Sequence, residues 1–239
     1  MSNTYFRFKQ FSINQDATAM KVNTDGVLLG AWAAIHKAER MLDVGTGTGI
    51  IALMLAQRNA KVRIDAVEMD ELAVKQALAN IQKSPWHHRM RVFHDDFLRF
   101  SKHHAGAYDA VIANPPYFVN ALLPPETSRT LARHAGELPP ARFIDSVVEV
   151  LTPSGELHVV LPKAEGTAFI AEAACRGLYC VRKTNVRPVA DKAVKRLLLT
   201  FSRIADETLH EDTLCIHESD SADYTAEYKA LTRDFYLKF

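Results

Sequence analysis

Apolar runs of strand length recur at about 41–44, 62–68, 90–93, 108–113, 155–161, 179–186 and 195–202, with stretches of helical period between most of them. GIIALMLAQRN at 49–59 and DELAVKQALANIQK at 70–83 both space their apolar residues for one face of a helix. The second opens on acids, which the positive end of a helix dipole favours. This alternation predicts an α/β fold: a doubly wound, mostly parallel seven-stranded sheet with right-handed crossovers. The last two runs are joined by polar residues without helical period, so they predict an antiparallel hairpin at the sheet edge.

Three segments lie outside the alternation. YFRFKQF at 5–11 alternates aromatic and polar residues, as a short strand does. Residues 117–141 hold Pro124, Pro125, Pro139 and Pro140 with little periodicity, which predicts a long loop, and such loops commonly carry function. YTAEYKALTRDFYLKF at 224–239 sets Tyr224, Tyr228, Leu231 and Phe235 on one helical stripe, as packing residues. The chain reads as a single domain, with an extension over 1–40, a core over 41–204 and a segment over 205–239 that packs on it.

No apolar run approaches the roughly 18 residues of a membrane span. The opening MSNTYFRFKQF also lacks a secretory segment, so a cytoplasmic protein is expected. Cys175, Cys180 and Cys215 form no CxxC pair, which fits a reducing compartment and packing roles for all three. His87 with His88, and His103 with His104, are adjacent pairs whose side chains diverge on regular structure, so no metal site is expected. Charge is segregated along the chain. Residues 182–196 carry six Lys or Arg against one Asp, a net of +5, and residues 205–239 carry nine acids against three bases, a net of −6. The basic segment reads either as a footprint for phosphate or as a solvated hairpin.

LDVGTGTGI joins the first core run to its helix and places Gly45, Gly47 and Gly49, three of ten glycines, in one turn. Such a turn can present backbone N–H groups to a nucleotide or an amino acid. Asp43 precedes it, and Glu68 ends the next strand in IDAVEMD, where an acid can accept from both hydroxyls of a ribose. A nicotinamide dinucleotide site would want glycine where Ile50 stands. HDDF ends the third run: Asp96 can accept from an adenine amino group and Phe97 can stack on its ring, while a helix N-cap is the competing reading for Asp95 and Asp96.

ANPPY at 113–117 leaves the fourth run through an amide and two prolines that cannot donate to a sheet ladder. The two prolines fix φ twice and aim the Pro115 carbonyl, and Asn114 adds a side-chain carbonyl nearby. Two fixed acceptors can hold both N–H bonds of a planar amino group out of conjugation, freeing its nitrogen lone pair, with Tyr117 stacked on the ring.

Together these features resemble class I S-adenosylmethionine-dependent methyltransferases, whose fold is Rossmann-like, and NPPY resembles the [DNS]PP[YFW] motif of those acting on amino groups. FKQF at 8–11, AMKVNTDGVLLGAW at 19–32, LMLAQ at 53–57, SPW at 84–86 and LTRDFYL at 231–237 resemble the bacterial tRNA1(Val) adenine-37 N6-methyltransferase family across nearly the whole chain. That resemblance implies S-adenosyl-L-methionine as cofactor and N6-methylation of the adenine 3′ of the anticodon. It implies cofactor roles for Asp43, Gly45, Gly47, Glu68 and Asp96, and catalytic roles for Asn114, Pro115, Pro116 and Tyr117. Gly49, Phe97 and Asn114 also belong to the expected cofactor site. Thr24 or Asp25 is placed to cap the helix running to Trp32, with cofactor contact the other reading for Asp25. Arg7, Lys9, Arg129, Arg133, Arg182, Lys183, Arg187, Lys192, Lys195 and Arg196 are the candidates for the RNA path. The expected partner is a tRNA anticodon loop met by a monomer, with no membrane and no metal. The alternatives are N5-methylation of a release-factor glutamine, whose enzymes usually carry a helical bundle before the core, N-methylation of an amino group in another RNA, and a non-catalytic RNA-binding relative.

Overall fold

The computed structural model describes residues 4–17, 21–115, 138–205, 208–219 and 221–239. Its main sheet is built from β3 (Arg40–Val44), β4 (Arg63–Glu68), β5 (Met90–His94), β6 (Tyr108–Ala113), β7 (Leu151–Pro162), β8 (Tyr179–Arg187), β9 (Arg196–Ser202) and β10 (His210–Cys215). The order across the sheet is β10-β8-β9-β7-β6-β3-β4-β5. Pairings from β7 to β5 are all parallel, and β9 runs antiparallel to both β7 and β8. The doubly wound, mostly parallel sheet is therefore present, with eight strands rather than seven. β10 is the addition, pairing parallel to β8, so the β8–β9 hairpin is not the sheet edge.

Helices α1 (Thr24–Trp32), α2 (Ile50–Arg58), α3 (Glu71–Gln82), α4 (Phe97–Ser101), α5 (Pro140–Val150) and α6 (Lys163–Ala174) cover the sheet, and α7 (Ala226–Thr232) closes the chain. Strand side chains alternate between two cores because the pleat has a period of two. Met41, Ile64, Ile112 and Leu198 pack into the core holding α1 and α2. Leu42, Val67, Val111, Leu197 and Leu199 join Phe143, Ile144 and Phe169 in the other. Truncating a fully buried ring such as Phe143 to alanine should cost about 3–5 kcal/mol. Helices α1 and α2 approach closely at Gly30, where a Cβ would stand 2.8 Å from Met54 Sδ.

A second, small sheet forms apart from the main one, where β1 (Tyr5–Arg7) and β2 (Ser12–Asn14) pair antiparallel, so the opening aromatic alternation makes a hairpin rather than one strand, with Phe8, Phe11 and Ile13 buried in the core of α1 and α2. The chain's end fastens it. Lys9 N donates to Phe235 O at 2.8 Å. Its Nζ donates to Arg233 O at 2.6 Å and Phe239 O at 2.7 Å. Tyr228 and Phe235 are buried and Tyr224 and Leu231 pack partly against the same core, as the helical stripe predicts.

Two local expectations are corrected. The cap of α1 is Asn23, whose side chain accepts from Gly26 N at 2.9 Å, rather than Thr24 or Asp25: the helix begins at Thr24, so the residue before it has the extended backbone a cap needs. Cys180 and Cys215 are partly buried, but Cys175 is exposed at the end of α6, where the helix turns out of the core.

Candidate active site at the carboxyl edge of the sheet

The chain leaves β3 toward β4 on one side and returns to β6 on the other, which opens a crevice at their carboxyl ends. Val44 pairs with Val67 of β4 and Ala113 of β6. Gly45, Glu68 and Asn114 thus leave three adjacent strands at one level. Gly45 N and Thr46 N donate to Val67 O at 2.9 and 3.3 Å, and Gly49 N donates to Thr46 O at 2.8 Å, closing the turn. Gly45 and Gly47 have φ of 69° and 55°, a left-handed backbone that a side chain strains. A Cβ at either would meet nothing within 4 Å, so both glycines border open space.

Asp43 sits fully buried beneath this turn. Its Oδ2 accepts from Thr46 Oγ1 at 2.6 Å and Ala52 N at 3.2 Å. Burial outweighs these bonds and pushes the carboxyl up to about 7, with Glu68 adding to the rise. Its Oδ1 has no partner among the described residues, a buried acceptor that a cationic or N–H-bearing ligand would satisfy. Glu68 braces the turn: Oε2 accepts from Gly47 N at 3.0 Å, while Oε1 accepts from Met69 N at 2.8 Å and Asp70 N at 3.0 Å. Oε1 uses both of its lone pairs on the backbone, whereas Oε2 keeps one direction for a ribose hydroxyl.

Of the two readings of Asp96, the cap is observed. Its Oδ1 accepts from Leu98 N at 2.7 Å and Arg99 N at 3.3 Å, leaving Oδ2 outside the cap. Asp95 N is tied to Glu68 O at 3.0 Å, and the Asp95 side chain is ion-paired with Arg99. Phe97 is 6% exposed, its ring tilted against Phe143 at a centroid distance of 5.6 Å, so it supports the α4 side of the crevice from within the core. Asn114 and Pro115 follow β6 immediately and are half-buried. Pro116, Tyr117, Arg129 and Arg133 lie outside the described residues.

Many of the basic candidates are answered within the protein. Arg182 stacks on Trp32 with its guanidinium 4.1 Å from the ring centroid. Lys183 pairs with Glu211 at 2.9 Å. Arg187 donates to Ala190 O at 3.0 Å and Lys192 O at 3.3 Å. Arg196 Nε donates to Asp25 Oδ2 at 2.8 Å, so two expected ligand contacts hold each other. Lys9 clasps the chain's end, while Arg7, Lys192 and Lys195 are exposed. The β8–β9 connection lies at the same edge as Asn114, because Pro162, the end of β7, pairs with Arg196. Lys163, absent from the sequence-based candidates, is exposed there too, with its N–H bonded to Lys195 O at 3.2 Å.

The family model described as the methyltransferase small domain matches residues 26–186, from α1 to the end of β8. A tRNA1(Val) (adenine(37)-N6)-methyltransferase from Tolumonas auensis is 48% identical over 239 residues, covering 100% of this chain and 99% of the relative. Proteins of the same name from Serratia proteamaculans and Trichodesmium erythraeum are 45% and 43% identical, covering 97% and 100% of this chain and 89% and 100% of their own lengths. The chain belongs to this family of methyltransferases. Among solved structures, an Agrobacterium tumefaciens protein described as a predicted O-methyltransferase matches with a TM-score of 0.71 at 20% identity, over 88% of this chain and 96% of that one. A TehB-like SAM-dependent methyltransferase from Corynebacterium glutamicum matches with a TM-score of 0.51 at 16% identity, over 75% and 88%. At these identities the likeness speaks for the methyltransferase fold alone.

Gln76 and Asn80, absent from the sequence-based candidates, are polar residues on the buried face of α3 that reach the β2 region and the glycine turn. Two amides four residues apart, interrupting an apolar stripe of Ala73, Ala77 and Ile81, were the available signal.

Proposed function

We propose that this chain methylates N6 of adenine-37 in tRNA1(Val), with S-adenosyl-L-methionine as cofactor. The observation that carries the reading is the side-by-side exit of Gly45, Glu68 and Asn114 from paired strands, in a chain of this family. The cofactor supplies an electrophilic methyl on a sulfonium. Gly45, Gly47 and Gly49 give it a close backbone, Asp43 and Glu68 offer acceptors, and Asp96 keeps Oδ2 for the adenine end. Asn114 and the Pro115 carbonyl accept the two N–H bonds of the substrate amine, and Tyr117 stacks on its base. The proton on nitrogen becomes acidic once the methyl is attached, so no strong base is required at that atom. The base reaches this pocket from the anticodon loop, where it can be splayed out without opening a duplex.

In this reading the enzyme is a cytoplasmic monomer; among the described residues no helix is long and apolar enough to cross a membrane. Mass spectrometry of bulk tRNA incubated with the protein and labelled cofactor should place one N6-methyladenine 3′ of the valine anticodon. Label appearing instead in a release factor, or at another tRNA position, would overturn the substrate.

A further inference from the structure

Asn80 is 1% exposed and joins three parts of the molecule through one side-chain amide. Its Oδ1 accepts from Asn14 N at 2.9 Å. Its Nδ2 donates to Asn14 O and to Thr48 O, both at 2.9 Å. Both N–H bonds and the oxygen are thus used. One turn earlier, Gln76 Oε1 accepts from Ala17 N at 3.2 Å. Gln15, itself buried, accepts from Val22 N at 2.9 Å, next to the Asn23 cap of α1. Ala77, between the two α3 amides, lies 3.6 Å from where a Cβ on Gly49 would stand.

The Thr48 carbonyl and the Gly49 N–H belong to one rigid peptide plane and point in opposite directions. Holding Thr48 O therefore aims Gly49 N at Thr46 O, the 2.8 Å bond that closes the glycine turn. Two glycines with open space around them give the turn little packing to fix its shape. A buried amide on an apolar helix face costs desolvation unless fully bonded, so it favours a single seating.

We infer that Asn80 is a positioning residue for the cofactor turn, locking the 48–49 peptide and making the turn's shape depend on the β1–β2 hairpin. This rests on the reading that the turn binds S-adenosylmethionine. The consequence is specific: loss of the Asn80 donor weakens cofactor binding by folded protein and leaves recognition of tRNA unchanged.

The test is calorimetric titration of S-adenosylhomocysteine into the parent, Asn80→Ala, Asn80→Asp and Gln76→Ala, well below each unfolding midpoint, with tRNA KM measured alongside. Asn80→Asp keeps the acceptor for Asn14 N but sets an oxygen against the carbonyls of both Thr48 and Asn14. Kd should rise about tenfold in Asn80→Ala and further in Asn80→Asp, the scale of one buried hydrogen bond. Gln76→Ala, which touches only the hairpin side, should stay within about threefold of the parent, and tRNA KM should hold in all three. Variants that lose stability yet bind as tightly as the parent overturn the inference. A parent that fails to bind S-adenosylhomocysteine overturns the cofactor reading itself. Should both Asn80 variants fail to fold, hydrogen exchange on the parent decides: a Gly49 amide protected before ligand is added supports the preset turn, and an unprotected one overturns it.

Discussion

The glycine-turn side of the sheet and its β8–β9–β10 side treat their charged groups differently, although Arg187 Nε on β8 is, like Asp43 Oδ1, buried without a hydrogen-bond partner among the described residues. Around β3, Asp43 Oδ1 is buried without a partner among the described residues, and two glycines face open space. Around β8, Lys183 meets Glu211, Asn185 Nδ2 donates to Glu211 at 2.7 Å, and Arg182 lies on Trp32. The +5 and −6 segments of the sequence therefore partly neutralise one another across the β8–β10 pairing. A run of charge in a sequence reports internal pairing as readily as an external partner. Polar groups that the fold leaves unanswered point more directly to ligand.

The largest test of this contrast is Asn114→Ala. If the amide is one of two acceptors for the reacting amine, kcat should fall about 10²–10³-fold, or roughly 3–4 kcal/mol of barrier, with the thermal midpoint nearly unchanged. Single-turnover rates with saturating tRNA would measure it. Lys183→Gln, by comparison, should leave kcat alone and change stability by about 1 kcal/mol or less.

A second test uses pH, through two fully buried titrating groups, Asp43 at the turn and His158 on β7. Asp43 is raised to about 7 by burial, so the folded protein holds a proton that the unfolded chain releases near pH 4. Its stabilising contribution is full below about pH 4 and lost as pH rises toward 7. His158, on β7 beneath α1, is lowered to about 3 by burial and by nearby Arg182 and Arg58. Its contribution is present above about pH 6.5 and lost as pH falls toward 3. Relative to Asp43→Asn, the parent should lose stability from pH 4 to 7; relative to His158→Gln it should gain over about pH 3 to 6.5, each with a slope approaching about 1.4 kcal/mol per pH unit. Denaturant unfolding across that range gives both signs, and a flat difference for Asp43→Asn would remove the account of a carboxyl held protonated by burial.

Backbone strain offers a smaller effect. Gly47→Ala places a Cβ at φ 55°, costing about 1–2 kcal/mol of stability. The new methyl projects into the open space beside the turn, so S-adenosylhomocysteine affinity should fall as well. Gly106 also has a positive φ, 59°, and open space but lies before β6 at the opposite end of the sheet. Gly106→Ala should carry the strain without the loss of binding.

The parallel core was legible because its strands are continuous apolar runs bounded by polar loops, and topology alone then brings the exit of β6 beside the turn after β3. β10 was not legible. HEDTLC has no apolar alternation, and it is seated by its backbone ladder with β8 and by the ion pair of Glu211 with Lys183, both distant in sequence. The α1 cap was missed by one residue, since Asn23, Thr24 and Asp25 are all cap-forming types and only backbone geometry selects among them. Asn80 was passed over because a mid-helix amide carries no local motif; its meaning depends on Asn14 and Thr48 arriving from elsewhere.

The smallest predicted effect concerns the charges that the β8 side leaves exposed. Lys192 and Lys195 lie in the β8–β9 connection, at the edge of the sheet shared with Asn114, and Lys163 stands beside them at the start of α6. If RNA phosphates pass over this edge, Lys192→Gln with Lys195→Gln should weaken tRNA binding about two- to tenfold. The slope of log affinity against log salt should shrink by about one for each phosphate that a lysine no longer neutralises. Lys183→Gln, whose ammonium is held by Glu211, should leave that slope unchanged. Filter binding of tRNA across a salt series separates the two: equal slopes for both variants would mean that the exposed lysines are solvated surface and that the RNA approaches along another edge.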